Sequence, residues 1–231
     1  MKISDLHKAF KVLMDKNSEA VAFGGCPAFL PEEIDLFLNL AYIEVICNKY
    51  TGNNTMQVGF EGAVKRIADL LKLIKTDSAL NLVYPYASSN VLTLSNFFKD
   101  GEELKRMFYV DCVLHYDNEV STCILIDHDK AGKFLLTYNN LPWIDTPVAV
   151  LEDNTLKIYI DPIRMEAEEY TADITYVKYP ELIQHTDYNR NITEVPDYIL
   201  NEVVNRAVVI ALENIESNRA LTKLQINSLE E

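Results

Sequence analysis

The stretch RMFYVDCVLHYDNEVSTCILID, residues 106–127, carries the clearest structural signal in the chain. It is rich in Val, Ile, Thr and Tyr, the residue types that favour extended backbone. Asp117-Asn118 interrupts it with a pair of residues typical of a tight turn. The stretch therefore predicts two strands, 106–116 and 120–127, with a tight turn between them.

Three further strand candidates follow toward the C-terminus, at 146–151, 155–161 and 173–179. Asp153-Asn154 separates the first two of these and predicts a second tight turn. Short connections between successive strand candidates favour an antiparallel sheet, curled or closed, over β-α-β units.

Helical patterns stand on both sides of this region. Ser4 and Asp5 are suited to cap a first helix, and Pro31-Glu32-Glu33 forms a good first turn for a second. A third helix is expected to carry the apolar residues Phe60, Val64, Ile67, Leu71 and Ile74.

A last helix, over about 194–225, is expected to begin at Val195-Pro196-Asp197. The expected fold is therefore α+β, with N-terminal helices over 1–78 and a central antiparallel β-sheet or barrel-like domain over 79–190. A long C-terminal helix with a tail completes it over 191–231.

The charge balance restricts the partners. The 231 residues carry a net charge of -14, whereas a protein that neutralises phosphates needs an excess of Lys and Arg. The first residues lack the apolar core of a signal peptide, and no apolar run is long enough to span a membrane. We therefore expect synthesis in a cytoplasm, no membrane partner and no general affinity for nucleic acid.

Sequence motifs that indicate catalysis, metal binding or phosphate binding are scarce. The four cysteines and four histidines show no metal-ligand or nucleophile spacing, and only 7 residues are Gly, too few to suggest phosphate-binding loops. Asp127-His128-Asp129 is the most suggestive trio, but a solvated strand end is the favoured interpretation. The sequence thus predicts no enzyme, no catalytic residue, no metal and no cofactor.

Some apolar residues are candidates for contact with other chains. Trp143 stands on an expected loop, where it either anchors an interface or folds back onto the sheet. Near the C-terminus the apolar edge of the last helix either packs on the chain's own core or on a neighbouring subunit. Its candidate interface residues are Leu221, Leu224 and Ile226.

Two stretches carry a family resemblance. The first runs from Leu30 to Asn39, with the pattern E-E-I-D-x-x-L-N, and continues with G-F-E-x-x-x-K-R-I-x-D-L from Gly59 to Leu70. The second comprises Val177–Ile183, which includes K-Y-P, and the helix that starts around Pro196 and continues to Asn214. These stretches resemble the neck and tail ring proteins of crAss-like bacteriophages, and the order of elements resembles the adaptor, or tail tubular, proteins of short-tailed phages.

The resemblance implies a structural virion protein, a head-to-tail connector made in the host bacterial cytoplasm. Its partners would be other copies of itself in a ring of roughly twelve, the portal protein and the adjacent neck or tail rings. Double-stranded DNA would pass through the central channel without specific binding. Acids that cluster near strand ends are the candidates to face that channel: Glu152, Asp153, Glu166, Glu168 and Glu169.

Two other functions remain open from the sequence. One is a phage-encoded accessory binding module or assembly chaperone, which would act as a monomer or dimer. The other is an acid-rich metal-dependent enzyme, in which a divalent ion would be held by paired acids, a weak signal by itself: Glu102-Glu103, Glu168-Glu169 and Glu230-Glu231.

Overall fold

The computed structural model describes residues 1–17, 29–52, 64–84, 90–117, 119–131, 142–143, 145–161 and 169–214. The chain divides into a helical unit, Met1–Leu73 with Pro180–Glu231, and a β unit, Ile74–Tyr179. The expected α+β class is confirmed, and so is the presence of a long helix near the C-terminus.

Helices and one short turn build the helical unit. They are α1 (Ile3–Asn17), α2 (Pro31–Thr51), α3 (Val64–Leu70), a 3-10 turn (His185–Asp187) and α4 (Asp197–Asn214). The helix α4 packs against both α1 and α2, and its buried face includes Val203, Ala207 and Ala211. None of the helices in the described ranges combines the length and the apolar character that crossing a membrane requires.

Both ends of α2 follow the sequence signals. Pro31 occupies the first helical position, and the Glu33 carboxylate accepts a hydrogen bond from the Leu30 N–H at 2.8 Å. At the other end Gly52 adopts a φ of 77°, and its N–H donates to the Asn48 carbonyl at 3.1 Å. Glycine takes this left-handed conformation without steric cost, which is why the helix ends there.

The helix α4 runs antiparallel to α2. Arg206 Nε donates to Glu44 Oε2 at 2.8 Å, and Lys49 Nζ lies 2.8 Å from Glu202 Oε2. Because the later residue of α2 pairs with the earlier residue of α4, the two helices point in opposite directions.

Strands of the β unit form two larger sheets and one short hairpin. In chain order they are β1 (Ile74–Asn81), β2 (Val91–Ser95), β3 (Lys99–Asp100), β4 (Glu103–Leu104), β5 (Arg106–Tyr116), β6 (Glu119–Thr122), β7 (Ile124–Leu125), β8 (Val148–Glu152), β9 (Thr155–Tyr159) and β10 (Tyr170–Lys178). The first sheet has the order β1-β10-β5-β6, and all its pairs are antiparallel. The second has the order β2-β9-β8-β7, in which only β7 and β8 are parallel. The hairpin pairs β3 with β4.

One apolar core joins the two larger sheets. Leu114 and Ile174 enter it from the first sheet, and Leu156 and Ile158 enter it from the second. Both expected turns are present: Asp117 and Asp153 have φ values of 49° and 53°, the left-handed conformation that Asp tolerates well. The core thus lies between the two sheets, and each turn joins two neighbouring antiparallel strands of one sheet.

Two sequence predictions about element boundaries are wrong. The third helix ends at Leu70, and Ile74 instead begins β1, where it pairs with Val177. The expected strand 120–127 is divided into β6 and β7, which belong to different sheets. In both cases pairing with a strand far along the chain overrides the local pattern.

Candidate functional site

An extended segment passes from one sheet of the β unit to the other at β6 and β7. Between these strands Cys123 is buried, and its N–H donates to the Cys112 carbonyl at 2.8 Å. The next N–H, that of Ile124, donates to the Pro147 carbonyl at 2.8 Å. The segment therefore forms part of one sheet and then part of the other without leaving the edge of the unit.

Large apolar side chains are exposed along this edge. We call the set Val120, Ile124, Leu125 and Trp143 the edge patch; its members are between 43% and 61% exposed. The backbone brings Trp143 near β7, because its carbonyl accepts a hydrogen bond from the Thr146 N–H at 3.0 Å and the next carbonyl, that of Pro147, accepts from the Ile124 N–H. Exposed apolar surface concentrated on one edge is typical of a site that another protein covers.

Of the predicted interface residues, Trp143 lies half-exposed at this edge. The other three, Leu221, Leu224 and Ile226, lie outside the described residues. The sequence reasoning did not identify Val120, Ile124 and Leu125 as surface residues, because a strand pattern alone does not reveal which strands lie at the edge of a sheet.

The predicted channel acids are not brought into one cluster. Glu152 and Asp153 lie at the turn between β8 and β9, where Glu152 forms an ion pair with Lys157 that lowers the pKa of its carboxyl group. Glu169 is exposed just before β10, in the other sheet. Glu166 and Glu168 lie outside the described residues.

Glu169 lines an open cavity of about 340 Å³ together with His115, Asp117 and Thr171. Nearby, His115 Nε2 lies 3.2 Å from Asp173 Oδ2, outside hydrogen-bonding geometry. Within the described ranges, no group of three or more His, Cys, Asp and Glu side chains is arranged to hold a metal ion. The cavity thus offers acids and an imidazole, but no ligand set for a metal.

The trio Asp127-His128-Asp129 is exposed. Asp127 pairs with Lys130 in the turn that follows β7. This placement matches the solvated environment that the sequence favoured.

A buried cluster in the helical unit escaped the sequence reasoning. Asp35 Oδ1 accepts a hydrogen bond from His7 Nε2 at 2.8 Å, and Asp35 Oδ2 accepts from both the Nδ1 and the backbone N–H of His185 at 2.7 Å. Burial lowers the pKa of His7 below its ordinary value, although the bond to Asp35 acts in the opposite direction. His7 and His185 are 178 positions apart, so no local spacing could reveal this cluster.

The cluster joins α1, α2 and the 3-10 turn. The Tyr188 ring lies edge-on to the His7 ring, with 5.2 Å between centroids. His7 is buried and both Asp35 oxygens are hydrogen-bonded, so the arrangement ties α1, α2 and the 3-10 turn together.

A second buried cluster links α2, α3 and α4. Lys49 Nζ lies 3.3 Å from Asp69 Oδ2 and 2.8 Å from Glu202 Oε2, and Asp69 Oδ1 accepts a hydrogen bond from the Tyr198 hydroxyl. The bond to Asp69, together with burial, raises the pKa of Tyr198 to about 12. This cluster also has a structural character, because Lys49 bridges two carboxylates, those of Asp69 and Glu202, from different helices of the same unit.

No protein-family model matches the chain, and no curated protein matches it significantly.

Proposed function

We propose that this chain is a structural virion protein, a subunit of a ring in the neck or tail of a crAss-like bacteriophage. The ring would connect the portal to the tail and surround the channel through which DNA passes. The observation that carries the proposal within the structure is the edge patch, to which the sequence resemblance adds the class of assembly.

Ring contacts are heterologous, so each subunit presents a surface that a different surface of its neighbour covers. The edge patch suits such a contact because it combines a Trp with three exposed aliphatic side chains of β6 and β7, to which the Trp143 backbone lies close. A single exposed apolar residue would need no explanation, whereas four along one edge favour a covered surface.

The charge suits a protein around a DNA channel. A net charge of -14 makes the surface repel the phosphate backbone rather than bind it. Such repulsion would let DNA move through a ring without sticking. We propose no enzymatic activity, cofactor or membrane contact for the chain.

The decisive experiment is electron microscopy of the phage particle. We expect density for this chain as a closed ring of roughly twelve copies between the portal and the tail, with DNA on the axis. A single copy in the particle, with no symmetric neighbours, would overturn the proposal.

Substitutions test the edge patch in a phage that lacks its own copy of the gene. Replacing Ile124→Ser together with Trp143→Ser should abolish assembly of tailed particles, because the ring contact loses its apolar anchor. Leu104→Ser is the matched control, since Leu104 is 44% exposed in the same unit but lies on the hairpin of β3 and β4. Equal assembly by the double variant and the control would remove the edge patch from the proposal.

The channel acids are tested by the rate of DNA ejection. Glu152→Lys and Glu169→Lys should each slow ejection if these residues face the channel, because a lysine attracts phosphate. An unchanged rate for both would show that other residues line the channel.

Metal addition separates this function from an enzyme. Micromolar Mn²⁺ or Mg²⁺ should leave the melting temperature of the purified chain unchanged. A stabilisation that His115→Ala removes would instead favour a metal site in the cavity near Glu169.

A further inference from the structure

Two cysteines lie opposite each other where β5 meets the segment between β6 and β7. The ladder pairs Val113 with Thr122, so the next opposite positions are Cys112 and Cys123. The Cys123 N–H donates to the Cys112 carbonyl at 2.8 Å, as in a hydrogen-bonded pair of an antiparallel ladder. The Cα atoms of such a pair are about 5.5 Å apart, within the range of about 4.4–6.8 Å that disulfides span.

Both side chains enter the same apolar core. Cys112 is fully buried and Cys123 is 5% exposed, and both pack in the core between the two larger sheets. Both are free thiols. The two thiols are hydrogen-bonded to each other, and this bond together with burial raises the pKa of Cys123 well above its ordinary value of 9.0. The sulfur atoms thus lie within reach of each other without a rearrangement of the strands.

We propose that Cys112 and Cys123 are a redox-sensitive pair that closes to a disulfide when the chain meets a small disulfide oxidant. The thiolate of one cysteine attacks a sulfur atom of the oxidant, whose S–S bond breaks and releases one small thiolate. The thiolate of the other cysteine then attacks the protein sulfur of this mixed disulfide and releases the second small thiolate. Two electrons pass from the cysteines to the oxidant, and the two cysteine protons are taken up by the released thiolates.

The disulfide would close the hairpin of β5 and β6 directly before Ile124, whose N–H bonds toward the second sheet. A closed loop restricts the unfolded chain and so stabilises the β unit. A reducing cytoplasm keeps such thiols reduced, so the disulfide would form only after the protein leaves it. The inference does not depend on the proposed ring, because it concerns only the β unit.

Closure should be slow, because an oxidant reaches the buried thiols only when this edge opens locally. Within the described residues β6 pairs with β5 alone, and it has only 4 residues, which favours such opening. The net charge of -14 repels anionic reagents, so an uncharged oxidant is the suitable probe.

The test treats the unchanged full chain with hydroxyethyl disulfide for a day under native conditions. Remaining thiols are then blocked with N-ethylmaleimide in denaturant, and the chain is digested with trypsin. Cleavage after Arg106 and Lys130 gives one peptide, residues 107–130, that contains Cys112 and Cys123 and no other cysteine. With the disulfide formed, this peptide carries no maleimide and is lighter than the dithiol by two hydrogen atoms.

We expect the disulfide form of the peptide to exceed its hydroxyethyl mixed disulfides on the order of tenfold, because the neighbouring thiol has a high effective concentration. A peptide that still carries two maleimides would overturn the proposal. A peptide with hydroxyethyl groups in place of the internal disulfide would overturn it as well.

The urea midpoint of Trp143 fluorescence gives a second readout, in a chain with Cys26→Ser and Cys47→Ser. The oxidant should raise this midpoint by about 1 M, because the closed loop constrains the unfolded chain. The same chain with Cys123→Ala is the matched control and should show no shift. An equal shift in both chains, or a shift in neither, would overturn the proposal.

Discussion

The helical unit and the β unit are stabilised in different ways. In the helical unit, buried ionic groups such as Lys49 and Asp35 join elements that are far apart in sequence. Both units bury apolar side chains, but in the β unit the buried cation Arg106 lies over the rings of Phe97 and Tyr176, which belong to the apolar core between the two sheets. The difference indicates that removing a buried charge, or lowering the pH, should reduce the stability of the helical unit more than that of the β unit.

The chain contains a single Trp, which belongs to the β unit. Trp143 fluorescence therefore reports unfolding of the β unit, whereas circular dichroism at the helical band reports mainly the helical unit. The two signals allow the comparison to be tested in one urea titration.

The largest effect is expected for Lys49→Met. This substitution leaves Asp69, which is only 1% exposed, without its cation, and breaking a buried ion pair in this way costs about 3–5 kcal/mol. The dichroism transition should move to lower urea while the fluorescence transition stays in place. Lys49→Met combined with Asp69→Asn and Glu202→Gln should recover part of the loss; no recovery would mean that packing, not charge, explains it.

A smaller loss is expected for Arg106→Met in the β unit. Arg106 Nη1 donates to the Phe97 carbonyl at 2.7 Å, and the guanidinium lies 4.7 Å from the Tyr176 ring centroid. Asp77 keeps Lys105 at 3.0 Å and the Tyr176 hydroxyl, so no bare charge remains. We expect a loss of about 2 kcal/mol, seen by Trp143 fluorescence. A loss as large as that of Lys49→Met would contradict the comparison.

Lowering the pH should increase the difference in stability between the two units. Burial holds the pKa of His7 below its ordinary value of 6.5; Lys11 and His185 act in the same direction, and Asp35 opposes them. Since the unfolded chain then binds the proton at a higher pH than the folded chain, stability is complete above pH 6.5 and falls as the pH drops below it.

In the β unit the relevant group is Asp77. Burial would raise the pKa of its carboxyl group, but hydrogen bonds from Lys105, Arg106 and Tyr176 together lower it below 3.8. The β unit should therefore lose this contribution only below pH 3.8. In urea titrations at several pH values, the midpoint of the dichroism transition should move to lower urea at a higher pH than the midpoint of the fluorescence transition does. The substitution His7→Gln should reduce this dependence of the dichroism midpoint on pH. If the dichroism midpoint depends on pH as strongly in this variant as in the unchanged chain, a group other than His7 causes the effect.

The smallest effect is expected for Arg206→Met. Its guanidinium and Glu44 are bonded at 2.7 and 2.8 Å, but both side chains are partly exposed. Water and salt screen such pairs, so the free energy of unfolding should fall by only about 0.5–1 kcal/mol. The dichroism transition at low and high salt measures this, and a loss near that of Lys49→Met would show that exposure does not govern these pairs.

Local signals accounted for much of the fold. The strand 106–116 is β5 with the same bounds, Pro31 begins α2, and Asp153 forms the turn between β8 and β9. In each case the residues that determine the structure are neighbours in sequence. Turn and cap chemistry depends on those neighbours alone, which is why these elements could be predicted.

Long-range pairing accounted for the failures. The strand β1 is held by β10, about a hundred residues further on, so the helical spacing that ends at Ile74 was misleading. The clusters around Asp35 and Lys49 likewise join residues from separate helices. Among the candidate site residues, Trp143 was predicted from its residue type and its expected loop, whereas the exposure of Val120 and Ile124 depends on where the sheets end.

The shared segment at β6 and β7 has a mechanical consequence. Because Cys123 and Ile124 bond to different sheets within two residues, one sheet cannot slide against the other without breaking at least one of these bonds. The edge is therefore stiff before any neighbour arrives. A partner that binds there would lose little free energy to ordering the backbone, so more of the favourable free energy of the apolar contact would contribute to affinity.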